Sequence, residues 1–183
     1  HIPVHLGAMP DAVAVVLERF PPDSLAPGDA VLLNDPFAGG AHLPDLTLVT
    51  PVFAGHDDPV AFVANRAHHA DLGGSRAGGV SADPTEIFQA GLRIPPVKLF
   101  EGGDPDEAVF DLLLANVRTP EERRGDLRAQ RAANETGRKR FESLVERRGS
   151  GDLAAVLDAL QDYSERRMRT ALADLPDGQY RFE

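Results

Sequence analysis

The chain has no cysteine and no tryptophan. Without thiols it can form no disulfide, no zinc–thiolate site and no cysteine nucleophile. The same absence suits a reducing cytoplasm, the expected compartment. Basic residues are in deficit: 19 Lys and Arg stand against 29 Asp and Glu, a net charge of -10. Nucleic-acid binding depends on neutralising phosphates, so that class of partner is excluded as an expectation. Long apolar runs are also missing. Val13–Leu17 and Leu112–Ala115 are core-sized, far short of the roughly 20 residues a membrane-spanning helix needs. The opening residues hold no basic-then-apolar leader, which says nothing of a segment ahead of His1. There is no G-x-S-x-G elbow, dinucleotide fingerprint or P-loop. Gly73-Gly74 and Gly78-Gly79 are not followed by Lys-Ser/Thr, so no ATP site is expected here.

What remains is a globular composition, 42% hydrophobic and 26% charged over 183 residues, enough for one domain with its own core. The first residue is His1 rather than Met, and Gly178–Glu183 reads as a turn into a strand. The chain is therefore expected to be a piece of a longer protein. Its texture changes near residue 100. Residues 1–100 are rich in Gly, Pro and β-branched residues and hold all six His, whereas 101–183 is helical in pattern. The expected fold is mixed α+β, one domain in which a strand-and-glycine-loop part packs against a C-terminal helical hairpin.

In the first part, Pro10 and Pro21-Pro22 bracket a helix with Val13, Leu17 and Phe20 on one face. Strands are predicted at Ala30–Leu33, Leu46–Phe53 and Val60–Ala64. Residues 101–107 read as an exposed acidic turn. Helices follow over about 106–116, from Thr119 to Arg148, and after Gly149-Ser150-Gly151, where Leu153, Val156, Leu157 and Leu160 share a face.

Two segments carry chemistry. Asn34–Asp45 and Ala64–Gly74 each follow a strand-like run, contain a glycine pair and hold a His and an Asp three apart: His42/Asp45 and His68/Asp71. Loops on strand ends converge readily, so mixed imidazole and carboxylate ligands can surround one ion. That donor mixture suits Mn, Fe or Zn rather than Ca or Mg. The glycine pairs allow backbone to approach a ligand. The bland alternative is that these side chains cap loops by bonding backbone. His69 must point away from His68 if the segment is extended, which leaves it a substrate-contacting or a packing role. His56 belongs to a turn, and His5 can face the site. Arg66 is suited either to clamping a substrate carboxylate or to pairing with Asp35 or Asp71. Asp126, Gln130 and Asn134 form a stripe at i, i+4, i+8, lining a pocket or forming a solvated edge.

These segments resemble the hydantoinase B/oxoprolinase family, which includes N-methylhydantoinase B subunits, the C-terminal half of 5-oxoprolinase and related acetone and acetophenone carboxylase subunits. The resemblance is carried by HIPVHLGAMP (1–10), PGDAVLLNDPFAGGAHLPDLTLVTPVF (27–53), FVANRAHHADLGG (62–74), PTEIFQAGLRIPPVKLF (84–100) and PEERRGDLRAQRAANETGRKRF (120–141). It implies a divalent metal held by the H-x-x-D pair His42 and Asp45 and by His68 of the following N-x-x-H. His69 and Asp71 are then candidates for proton transfer, and Arg66, Asn65 and Asn34 for substrate binding. It further implies an A-type partner subunit that binds ATP, a hetero-oligomer, and hydrolytic opening of a small cyclic amide such as hydantoin or 5-oxoproline. The His68-His69 doublet departs from the carboxylase-like members and favours the hydrolase branch. A ketone carboxylase subunit and a non-catalytic partner subunit are the alternatives.

Overall fold

In a computed structural model, residues 3–79, 82–179 and 181 are described. Tyr180, Phe182 and Glu183, on which the terminal strand was expected, lie outside them, as does His1. Two compact units are present, His1–Arg140 and Phe141–Glu183.

The first unit is built on a five-stranded antiparallel sheet in the order β3-β2-β1-β4-β5. The strands are β1 (Ala30–Leu33), β2 (Asp45–Val52), β3 (Ala61–His68), β4 (Val97–Glu101) and β5 (Asp104–Pro105). The mixed α+β class is therefore as expected. Two corrections to the strand reading follow. β3 continues past Ala64 to His68, so Asn65, Arg66 and His68 belong to a strand rather than to the loop after it. Residues 101–107 are no mere turn: Gly102 and Gly103, with φ of +58° and +101°, close a two-residue hairpin between β4 and β5. Two successive positive φ angles are what a hairpin turn matching the strand twist requires. The change of texture near residue 100 thus falls inside β4, not at a structural break.

Period-two alternation divides the core into two layers. Ala30, Leu32, Leu46 and Leu48 face α3 (Glu107–Ala115) and α4 (Pro120–Arg148), where they meet Phe110, Leu113, Leu114 and Leu127. Val31, Leu33 and Val49 face the other way, onto Ala12 and Val16 of α2 (Met9–Arg19). Val13, Leu17 and Phe20 flank that second layer only partly buried. The buried stripe of α2 is thus centred one residue away from the expected one. With helices on both faces, every residue of β1 and β2 is buried. That explains why these strands read as apolar runs instead of alternating. A short helix α1 (Pro3–Gly7), not anticipated, precedes α2. Asp106 caps α3, its carboxylate accepting from the Val109 N–H at 3.1 Å.

In the second unit the last helix, α5 (Ser150–Ala173), is present as predicted. Its apolar positions Val156, Leu157 and Leu160 are nevertheless exposed. No helix among the described residues is long and apolar enough to cross a membrane.

Candidate metal centre

β2 and β3 pair with Asp45 opposite His68 and Thr47 opposite Arg66. Directly opposed residues of an antiparallel pair project from the same face. This register sets Asp45 and His68 side by side at one end of the sheet, on the α2 face. The loop from β1 brings in His42. Its tight path needs Gly40, where an added Cβ would sit 2.2 Å from the Asn34 carbonyl oxygen. It needs Gly39 as well, at φ +78° and packed on Ala12.

Asp45 is 1% exposed. His68 Nδ1 lies 2.8 Å from its Oδ1, and His42 Nδ1 contacts its Oδ2. His42, Asp45 and His68 each offer a ligand atom, and these atoms all lie within 4.8 Å of one another. His5, from α1, approaches to 3.8 Å from Asp45 Oδ2 and stands edge-on to the His42 ring. Burial alone would raise the Asp45 carboxyl. The hydrogen bond to His68 and the charges of His42 and His5 outweigh it and hold the group below its ordinary range.

Whether these residues suit a metal can be judged from their unsatisfied atoms. His5 Nδ1 is buried and finds no hydrogen-bond partner among the described residues, and Asp45 Oδ2 is buried against the His42 and His5 imidazole nitrogens. Buried polar atoms are normally paired. A buried carboxylate oxygen set against imidazole nitrogens, one of them unpartnered, is what a cation would satisfy. Two imidazoles and a carboxylate match the borderline donors favoured by Zn, Mn or Fe, and three protein ligands leave a coordination position open. The residues fit the ion.

The other expected residues are placed elsewhere. Arg66 pairs with neither Asp35 nor Asp71. Its Nε donates to Thr47 Oγ1 at 2.7 Å and its Nη2 to the Gly39 carbonyl at 3.0 Å, bracing the loop that carries His42. Asp35 is instead close to Arg93, and Asp71 pairs with Arg118. Both Asp71 oxygens are occupied, by the Arg118 side chain and backbone N–H and by the Gly73 N–H, so Asp71 braces a loop away from the triad. Burial opposes ionisation of Asp71, but these donors prevail and lower its pKa. Asn34, wholly buried, donates to the carbonyls of Leu43 and Leu92 and accepts from the Ile94 N–H, so both its N–H donors are spent on the protein's own backbone. The glycine pairs also serve protein packing: a Cβ on Gly73 would meet the Asn116 carbonyl at 2.6 Å, and one on Gly74 the Gln89 carbonyl at 2.5 Å.

Asn65 faces α4, not the triad. It donates to the Gln130 carbonyl and to Asn134 Oδ1, and it accepts from Gln130 Nε2. Gln130 and Asn134 in turn donate to the Leu46 and Leu48 carbonyls of β2. Gln130 and Asn134 are thus neither a pocket lining alone nor a solvated edge, because they pin α4 across the sheet. His69 sits on this face too, 2% exposed, with Nε2 2.8 Å from Gln130 Oε1. Burial pushes its pKa down, with the Gln130 bond opposing. His56 is exposed in the β2–β3 turn.

The hydantoinase B/oxoprolinase family model matches residues 1–183. The chain belongs to that family. It is 38% identical over 179 residues to the caprolactamase subunit beta of Pseudomonas jessenii, covering 98% of this chain and 30% of that one. It is 35% identical over 184 residues to 5-oxoprolinase 1 of Arabidopsis thaliana, covering 94% of this chain and 14% of that one. The crystal structure of the ATP-dependent caprolactamase from Pseudomonas jessenii superposes with a TM-score of 0.89 at 38% identity, over 97% of this chain and 30% of that one. The chain therefore spans about a third or less of the length of these relatives.

Proposed function

We propose that this family member holds the metal centre of a B-type subunit in an ATP-dependent cyclic-amide hydrolase. The observation that carries the reading is the convergence of His42, Asp45 and His68 on one point, with Asp45 buried against the imidazoles and His5 Nδ1 beside it unpartnered. An ATP-binding A-type partner is part of the proposal, consistent with the absence of any nucleotide motif here and with the ATP-dependent caprolactamase neighbour.

In this reading the partner moves a phosphoryl group from ATP onto the amide oxygen of the ring. The amide carbon becomes electrophilic, water adds to it, the C–N bond breaks as the ring nitrogen takes a proton, and a second water releases phosphate from the resulting acyl phosphate to leave the carboxylate. A divalent ion held by His42, Asp45 and His68 supplies Lewis acidity toward oxygen. The chain's own residues set the geometry. Asp45 is the fixed, buried anchor. It orients His68 through their hydrogen bond, as an outer partner orients a ligating imidazole. Arg66 holds the glycine loop so that His42 returns to the same point. His5 adds a third imidazole beside the carboxylate.

Metal content measured after purification without added metal tests this reading. Near-stoichiometric Mn, Fe or Zn in the protein, absent from a folded H42A/H68A double variant, is the expected result. A folded wild-type protein that takes up no divalent ion sinks the proposal.

A further inference from the structure

On the other flank of His68 lies a second polar site. A pocket of about 330 Å³ opens between the end of β3 and α4, lined by Ala67, Ala129 and Ala133 with His68, His69 and Asp126. Its volume is at the small end for ligand sites. The three alanines provide the room. At its wall, the His69 side chain is 1% exposed and its Nδ1 finds no hydrogen-bond partner among the described residues.

The hydrogen-bond network determines which nitrogen of His69 carries the proton. Gln130 Nε2 donates to the Leu46 carbonyl at 2.9 Å and to Asn65 Oδ1 at 2.7 Å. Its amide is therefore oriented by two acceptors, and Oε1 must accept. His69 Nε2, 2.8 Å from that oxygen, is the donor. Neutral His69 then carries a lone pair, not a proton, on Nδ1. The nearest carboxylate oxygen, Asp126 Oδ2 at 4.0 Å, is another acceptor and cannot satisfy it. Asp126 is already paired with Arg123, at 2.9 and 3.0 Å, so the wall has little net charge to attract a cation. An unsatisfied acceptor in a nearly neutral, small-walled pocket calls for a neutral donor.

We infer that this pocket is a binding subsite for a neutral N–H group of the ligand, with His69 Nδ1 as its hydrogen-bond acceptor. The acceptor follows from the network alone; the choice of a secondary lactam as the ligand rests on the cyclic-amide reading. His69 is then a binding residue for the amide nitrogen and not a metal ligand.

The test uses ¹⁵N-histidine-labelled protein and long-range ¹H–¹⁵N spectra, with δ-valerolactam as probe and N-methyl-valerolactam, which has no N–H, as control. The free protein should show His69 protonated at Nε2 only. Valerolactam should move the Nδ1 resonance saturably, and the N-methyl compound should not. H69Q keeps a donor for Gln130 and removes Nδ1. It should retain wild-type metal content and melting temperature while binding valerolactam about tenfold more weakly, as expected for one lost hydrogen bond. Overturning results are a proton on Nδ1 in the free protein, no saturable shift, equal shifts with both lactams, or H69Q binding as well as wild type. Loss of metal in H69Q would also overturn it. Failure of the triad to take up metal would defeat the hydrolase reading and leave the Nδ1 result standing.

Discussion

The two faces of the β2–β3 pair both bury polar groups, yet they treat them oppositely. On the α4 face, Asn65, Gln130, Asn134 and Thr50 satisfy one another and the carbonyls of Leu46 and Leu48. On the α2 face, His5 Nδ1 and one Arg66 nitrogen stay buried without a partner among the described residues, and Asp45 Oδ2 meets imidazole nitrogens. A saturated network holds a helix in register, because breaking any member strands its neighbours. An unsaturated cluster leaves bonding capacity for something that is not protein. His69, saturated at Nε2 and unsaturated at Nδ1, is an exception on the first face, as are one guanidinium nitrogen each of Arg123 and Arg131 on α4.

Substitutions can break that contrast, in descending order of expected effect. Q130A strands the Leu46 carbonyl, Asn65 Oδ1 and His69 Nε2, and should cost about 3 kcal/mol of unfolding free energy in urea. A loss within about 0.5 kcal/mol would mean the network does not pin α4. G40A forces a Cβ onto the Asn34 and Asp35 backbone. It should cost about 2 kcal/mol and weaken metal uptake by displacing His42; unchanged uptake would detach the loop from the site. D71N should cost about 1–2 kcal/mol at pH 7 through its bonds to Arg118, with metal content unchanged. The folded-state pKa of Asp71 lies below its unfolded value of roughly 3.9. Its contribution is therefore fully present above that value and lost as pH falls through the folded one. The gap between D71N and wild type should close in acid; a gap that persists there would refute the ion-pair account. H42A, at a side chain 64% exposed, should stay within about 0.5 kcal/mol of wild type while metal uptake falls sharply. A large stability loss would make His42 structural.

Much of this contrast could be read in advance. Pro10 and Pro21-Pro22 bracketed α2, Ala30–Leu33 was recognisable as a strand, and Gly149 divided the last two helices. Spacing offered the pairs His42/Asp45 and His68/Asp71 alike, and the family resemblance singled out His42, Asp45 and His68, which the structure brings together. Strand alternation already placed His69 opposite His68. The β4–β5 hairpin was missed although Gly102-Gly103 signalled it, because the flanking acids read as loop. The length of β3 was missed because Asn65 and Arg66 are poor strand formers whose partners lie elsewhere in the chain, on α4 for Asn65 and on β2 and the Gly39 loop for Arg66.

Composition and spacing, which are local, thus determined the α+β class, the lack of a nucleotide motif and the two His–Asp pairs from which a site could be built. Partnership is not local. Asp71 and Asp45 look alike in sequence, each three residues after a histidine. Only the tertiary structure gave Asp71 to Arg118, 47 residues away, and left Asp45 facing His42 and His68. The β2–β3 register decides which carboxylate meets an imidazole across the sheet, and the packing of α4 decides which polar atoms are already satisfied before any ligand arrives.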